Sequence, residues 1–252
     1  MNNSYILETK QLDKYFGGLQ ALNKVNVAVP RGQLLSVIGP NGAGKTTLFN
    51  VITGNHHPDG GSVYFKGEDI SRLSPNRLSQ MGLARSFQIT NIFDNLTVEE
   101  NLRLAVQSRG KSSFKILIHY LSYADYIAKA REIAGLVGLE GKEGMIAQFL
   151  PHGDKRKLEL GLVLALDPEL LLLDEPTSGL SIEEIPSILE VIQRIQRDES
   201  KTLVLVEHKM DIVMEISEYI YVLHHGSVIA QGTPSEISEN EQVQEAYLGG
   251  AV

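Results

Sequence analysis

The sequence predicts an α/β fold: a mostly parallel sheet with crossover helices, preceded by a β-rich segment and interrupted by an inserted helical segment. Three observations carry this. The first third consists of short apolar runs separated by turn residues, the apolar spacing becomes helical from about residue 97 to 166, and strands and helices alternate after Asp167-Pro168. At 252 residues the chain fits one to two compact units of roughly 150 residues each.

Strands are predicted over 5–9, 22–29, 34–38 and 62–65, with turns at Pro30-Arg31-Gly32 and Asp59-Gly60-Gly61. The helical segment follows, with a polar basic tip at Arg109-Gly110-Lys111-Ser112-Ser113. Beyond it come a strand over 170–174, a helix over 182–198, a strand over 202–206 and a helix over 210–217. Two short strands, 219–224 and 228–231, flank a turn at Gly226, and a last helix covers about 235–248.

Composition narrows the function classes. Apolar residues at 42% and charged residues at 21% suit an ordinary globular protein. The 31 acidic against 23 basic residues give a net charge of −8, which opposes non-specific attraction to nucleic acid. The absence of cysteine excludes disulfides, thiolate nucleophiles and cysteine-based zinc sites. No apolar run approaches the roughly 20 residues of a membrane-spanning helix, and the opening MNNSYILETKQLDK lacks the basic start and apolar stretch of a signal peptide. The expectation is a cytoplasmic protein that meets a membrane only through a partner.

Residues 39–46 read GPNGAGKT, which satisfies G-x-x-x-x-G-K-[ST] between an apolar strand and a helix-like run, the context this phosphate-binding motif requires. Gly39, Pro40, Asn41, Gly42, Ala43 and Gly44 would turn successive amides inward, and the helix beginning near Thr46 and Thr47 would add its positive end. Lys45 would reach the β- and γ-phosphates of ATP, and the Thr46 hydroxyl would ligate Mg²⁺. The second signal is Leu170 to Leu173 followed by Asp174 and Glu175. On a parallel strand these carboxylates fall at the carboxyl edge, where the phosphate loop also lies. Asp174 suits the Mg²⁺ shell, and Glu175 suits a general base that takes a proton from an attacking water.

These motifs, with others in order, resemble the ATP-binding subunits of ABC transporters over essentially the whole chain. Phe16 in KYFGG resembles the aromatic residue that stacks on adenine, and Gln88 in RSFQ resembles the Q-loop glutamine that contacts Mg²⁺ and water and senses the membrane partner. Glu207-His208 resembles the switch loop, whose histidine bonds the γ-phosphate. The signature segment departs from the family's common LSGGQ: here it is Leu150-Pro151-His152-Gly153-Asp154, then Lys155-Arg156. Pro151 supplies neither hydroxyl nor N–H, so the phosphate would be held by backbone amides near Gly153 and the start of the following helix, with His152 as a further donor. The D-loop, Ser178-Gly179-Leu180-Ser181, lacks its usual terminal aspartate. LPHGDKR, EHKM and EAYLG resemble the branched-chain amino acid branch, with urea and amide importers nearby.

The resemblance implies a P-loop NTPase (RecA-like) core over 1–96 and 167–252, with an N-terminal antiparallel β subdomain and an inserted α-helical subdomain over 97–166 carrying the signature motif. It implies ATP and Mg²⁺, a head-to-tail pair of cassettes, permease subunits docked on the helical subdomain, a solute-binding protein acting indirectly, and a place on the inner face of the cell membrane. A soluble ABC-type ATPase acting on nucleic acid or ribosomes would call for a long coiled coil or two cassettes in tandem, plus a basic face, and the cluster Arg109, Lys111, Lys115 is small. A P-loop kinase for small metabolites would not need Glu175, His208 or the signature segment.

Overall fold

The computed structural model describes residues 4–86, 92–109 and 119–248. Packing divides the chain into two units: residues 1–85, 169–175 and 198–252 in the first, residues 86–168 and 176–197 in the second. The predicted inserted segment thus lies within the second unit, which also takes residues 86–96, 167–168 and 176–197, all expected in the core.

The first unit is built on two sheets. Strands β1 (Tyr5–Phe16), β2 (Leu19–Pro30), β4 (Gly60–Phe65) and β5 (Glu68–Asp69) form an antiparallel sheet in the order β2-β1-β4-β5. Strands β3 (Leu34–Ile38), β6 (Leu83–Arg85), β7 (Leu170–Asp174), β8 (Thr202–Val206), β9 (Tyr219–His224) and β10 (Ser227–Gly232) form the second, in the order β10-β9-β3-β8-β7-β6. Its first five members in sequence are parallel, and β10 returns antiparallel on β9 as the edge. β3, β7, β8 and β9 have the bounds the sequence predicts; β1 runs on past residue 9, turning at Gln11 with φ 49°.

Alternation of side chains along the parallel strands assigns them to two cores. Leu35, Val37, Tyr221 and Leu223 join α1 (Lys45–Ile52) and the antiparallel sheet on one face. Ile38, Ile220 and Val222 face α7 (Met210–Ile216), α8 (Pro234–Ser238) and α9 (Glu241–Leu248) on the other. The single closing helix expected over 235–248 is in fact α8 and α9, because the Asn240 carbonyl and side chain restart the chain by accepting the Val243 and Gln244 amides.

The second unit is helical, with α3 (Val98–Arg109), α4 (His119–Leu136), α5 (His152–Leu164) and α6 (Ile185–Gln196), after the short α2 (Pro75–Gln80) of the first unit. Gly161 lets α3 approach α5, since a Cβ there would lie 2.8 Å from the Leu102 side chain. The fully buried Asn101 amide ties down the segment before α3, accepting the Phe93 N–H at 2.8 Å and donating to the carbonyls of Phe93 and Thr97 at 3.0 and 2.9 Å. Among the described residues, no helix is long and apolar enough to cross a membrane.

Candidate nucleotide site and its family

β3 runs straight into the loop 39–44, and α1 starts at Lys45. Gly39, Gly42 and Gly44 all have positive φ (152°, 80° and 107°), the backbone pattern that aims consecutive amides into one concavity. At two of them glycine is also demanded by space. A Cβ on Gly39 would lie 2.1 Å from the Leu223 carbonyl oxygen, and one on Gly44 2.7 Å from that of Ala21. The β9–β10 turn braces the loop from outside, as Gly226 N–H donates to the Ala43 carbonyl at 3.0 Å.

Lys45 is 6% exposed and its ammonium donates to the Gly39 and Pro40 carbonyls at 2.7 and 3.1 Å. Burial lowers its pKa, and the charges of Glu175 and Asp174 oppose that shift. Lysine and both carboxylates therefore share one electrostatic neighbourhood in the first unit. Thr46 is exposed one residue into α1. A loop of inward amides, an exposed hydroxyl at a helix start and a carboxylate at the adjoining strand edge is a donor set that fits a nucleotide phosphate with Mg²⁺, a hard cation content with few protein oxygens.

Asp174, 2% exposed at the end of β7, accepts from the Arg85 guanidinium at 2.5 Å. Arg85 also donates to the Asn50 side chain at 2.6 Å and lies 5.6 Å from the Phe49 ring centre. Glu175 takes a left-handed backbone, φ 46°, with its amide bonded to the Val206 carbonyl at 2.8 Å. That conformation is uncommon for a non-glycine residue and turns the side chain off the strand direction. His208 Nδ1 stands 3.8 Å from the Glu175 carboxylate and 3.7 Å from that of Glu207, which is fully buried, and the His208 amide donates to Glu207 at 3.1 Å. The acidic pair, the lysine and the histidine thus come together from three strand ends.

Phe16 lies at the tip of the β1–β2 hairpin, 44% exposed, with its ring edge-on to His56 at 5.3 Å. Gln88 lies outside the described residues, as do Lys111 and Lys115 of the basic tip. In the second unit, Pro151 is the N-cap of α5 and His152 its first residue. The Gly153 amide, expected to face a phosphate, is engaged by Glu184 at 2.9 Å. Asp154 is buried and paired with Lys142 and, at 3.5 Å, with Lys157. Gly153 and Asp154 are thereby tied into the unit's own polar network.

Sequence reasoning passed over Arg85, Asn50 and Glu184, and gave Glu207 no role beyond its place before His208. Arg85 stands in the same RSFQ that was read only for its glutamine, and Glu184 completes an S-x-x-E pattern from Ser181, a helix-start signal.

Comparison with known proteins agrees with this geometry. The ABC transporter family model matches residues 22–178, and the branched-chain amino acid ATP-binding cassette transporter model matches residues 227–252. The chain is 37% identical to the high-affinity branched-chain amino acid transport ATP-binding protein LivG of Escherichia coli K12, covering 98% of each chain. It is 38% identical to the probable LivG of Archaeoglobus fulgidus, over 97% of this chain and 95% of the relative. Among solved structures, the ADP conformation of MJ1267, an ATP-binding cassette of an ABC transporter, superposes with a TM-score of 0.84 at 31% identity, covering 97% of this chain and 99% of that one. The glycine-built phosphate loop, the paired carboxylates beside it and this full-length likeness together make the chain a member of the ABC transporter family of ATP-binding subunits.

Proposed function

We propose that this chain is the ATP-hydrolysing subunit of an importer for branched-chain amino acids, the solute class of its LivG relatives. The observation that carries the reading is the convergence of Lys45, Asp174, Glu175 and His208 on one end of the parallel sheet. The phosphate-loop amides and Lys45 would bind the phosphates, Thr46 and Asp174, with Gln88, would hold Mg²⁺, and Phe16 would stack on adenine. Bound Mg²⁺ would offset negative charge on the phosphates. Glu175 would take the proton of the attacking water, its carboxylate aimed by the left-handed turn after β7, and His208 would donate to the γ-phosphate.

The catalytic cycle would require a second cassette, met head to tail through the signature segment Pro151 to Asp154 and the D-loop, and permease subunits at the inner face of the membrane, served by a solute-binding protein outside. Backbone bonds hold residues 94–99 against 143–148 in the second unit, and within or next to these segments Phe93, Met145, Ile146 and Phe149 stay exposed at 57%, 42%, 36% and 67%. Such an apolar cluster is what a protein partner would cover, and the helical subdomain is where a permease would dock.

The test is Glu175→Gln in the assembled transporter. ATP binding is expected to persist while hydrolysis and uptake fall by about 10²–10⁴; undiminished turnover removes the base from Glu175.

A further inference from the structure

Ser181-Ile182-Glu183-Glu184 folds as one turn leading into α6. The amides of Glu184 and Ile185 donate to the Ser181 carbonyl at 3.1 and 3.3 Å, and the Glu184 carboxylate reaches back to accept the Ser181 N–H at 3.0 Å. The side chain thus closes the same turn that the backbone makes. The other carboxylate oxygen accepts the Gly153 N–H at 2.9 Å, in the first turn of α5. α5 has no side-chain cap of its own, because its N-cap is Pro151, which carries no oxygen on its side chain.

One carboxylate therefore serves the turn that leads into α6 and the first turn of α5, where the helix start favours an anion. Hydrogen bonds from Ser181, then Gly153, hold the Glu184 pKa below its ordinary value, with His152 adding a favourable charge. Steric fit points the same way. A Cβ on Gly153 would lie 3.0 Å from Glu184 Oε1. Gly153, one of two positions the signature segment shares with its family's common pattern, thus has the Glu184 carboxylate in close contact.

We propose that Glu184 is a positioning residue that locks the D-loop to the first turn of the signature helix, so that both segments are presented to a second cassette as one preformed surface. Two of the departures noted in the sequence, Pro151 and Ser181, are compensated by this carboxylate. It offers α5 the cap that Pro151 does not, and it fixes the amide of Ser181, where the family's aspartate would stand. The inference rests on the reading that two cassettes pair across these segments.

Glu184→Ala and the isosteric Glu184→Gln in the full chain test it, by amide hydrogen exchange without nucleotide and by ATP-driven pairing and turnover. For Glu184→Ala, exchange at the Gly153 and Ser181 amides is expected to rise together by about tenfold, the loss of one hydrogen bond each. Pairing and kcat are expected to fall by about tenfold with KM for ATP unchanged, since Lys45 and the phosphate loop belong to the other unit. Glu184→Gln, able to accept through one oxygen only, is expected to fall between, and it serves alone if the alanine variant does not fold. Unchanged exchange at either amide, or raised exchange with pairing and kcat intact, overturns the proposal. A failure of the unsubstituted chain to pair on ATP addition overturns the pairing reading instead, and is told apart by appearing without any substitution.

Discussion

The phosphate loop and the signature segment both run through glycine into a helix, yet they keep their shape by different means. The loop at 39–44 is shaped from within, by three glycines in conformations other residues rarely take and by carbonyls packed where side chains would be. The turn at Pro151 to Asp154 has neither device. It is held by a carboxylate 31 positions away in sequence and by lysines on Asp154. A contiguous motif can encode its own geometry, whereas a departed motif borrows its geometry from elsewhere.

The contrast can be broken at its stronger end first. Gly39→Ala places a methyl group 2.1 Å from a backbone oxygen that cannot yield without moving β9. It is expected to cost more than about 4 kcal/mol and to abolish nucleotide binding, measured by denaturant unfolding and by titration with a fluorescent nucleotide; near-native stability with intact binding would show the loop to be softer than its glycines imply. Next comes Arg85→Met, which withdraws the guanidinium from the nearly buried Asp174. A loss of about 3 kcal/mol is expected, read as a lower denaturation midpoint at unchanged slope.

At the weaker end, Pro151→Ser should sharpen the comparison by giving α5 a cap of its own. A gain of about 1 kcal/mol is expected, and in that background Glu184→Ala should loosen the Gly153 amide less than in the parent chain. Equal loosening in both backgrounds would show that capping is not what Glu184 contributes. The smallest effect is the pH dependence. Glu184 and Glu236, the latter bonded to Thr233 in a full capping box, both have folded pKa values lowered from 4.5. Their contribution is complete above 4.5 and is lost as pH falls through the lower folded values. The melting temperature should therefore drop on the acid side of 4.5, and Glu184→Gln should flatten part of that drop.

Much of the fold could be read because its strands are buried, short and bounded by turns. The runs at 34–38, 170–174, 202–206 and 219–224 leave no alternative register that keeps their apolar residues from water. The closing helix was harder, since the break at Asn240 depends on a single side chain accepting the Val243 amide within an otherwise helical pattern. Arg85 could not be assigned a role at all from sequence, because the carboxylate it meets is 89 residues on.

What the sequence by itself determined is the phosphate loop, the acidic strand end and the order of elements, and with them the family. Each depends on neighbours a few residues apart, whose conformations are set by glycine φ, strand burial and turn chemistry. Only the tertiary structure decided which charges meet: Arg85 with Asp174, His208 between Glu175 and Glu207, Glu184 with Gly153 and Ser181. Pairings of that kind follow from which strand ends and helix starts are brought side by side, a consequence of burying the whole core and not of any local pattern.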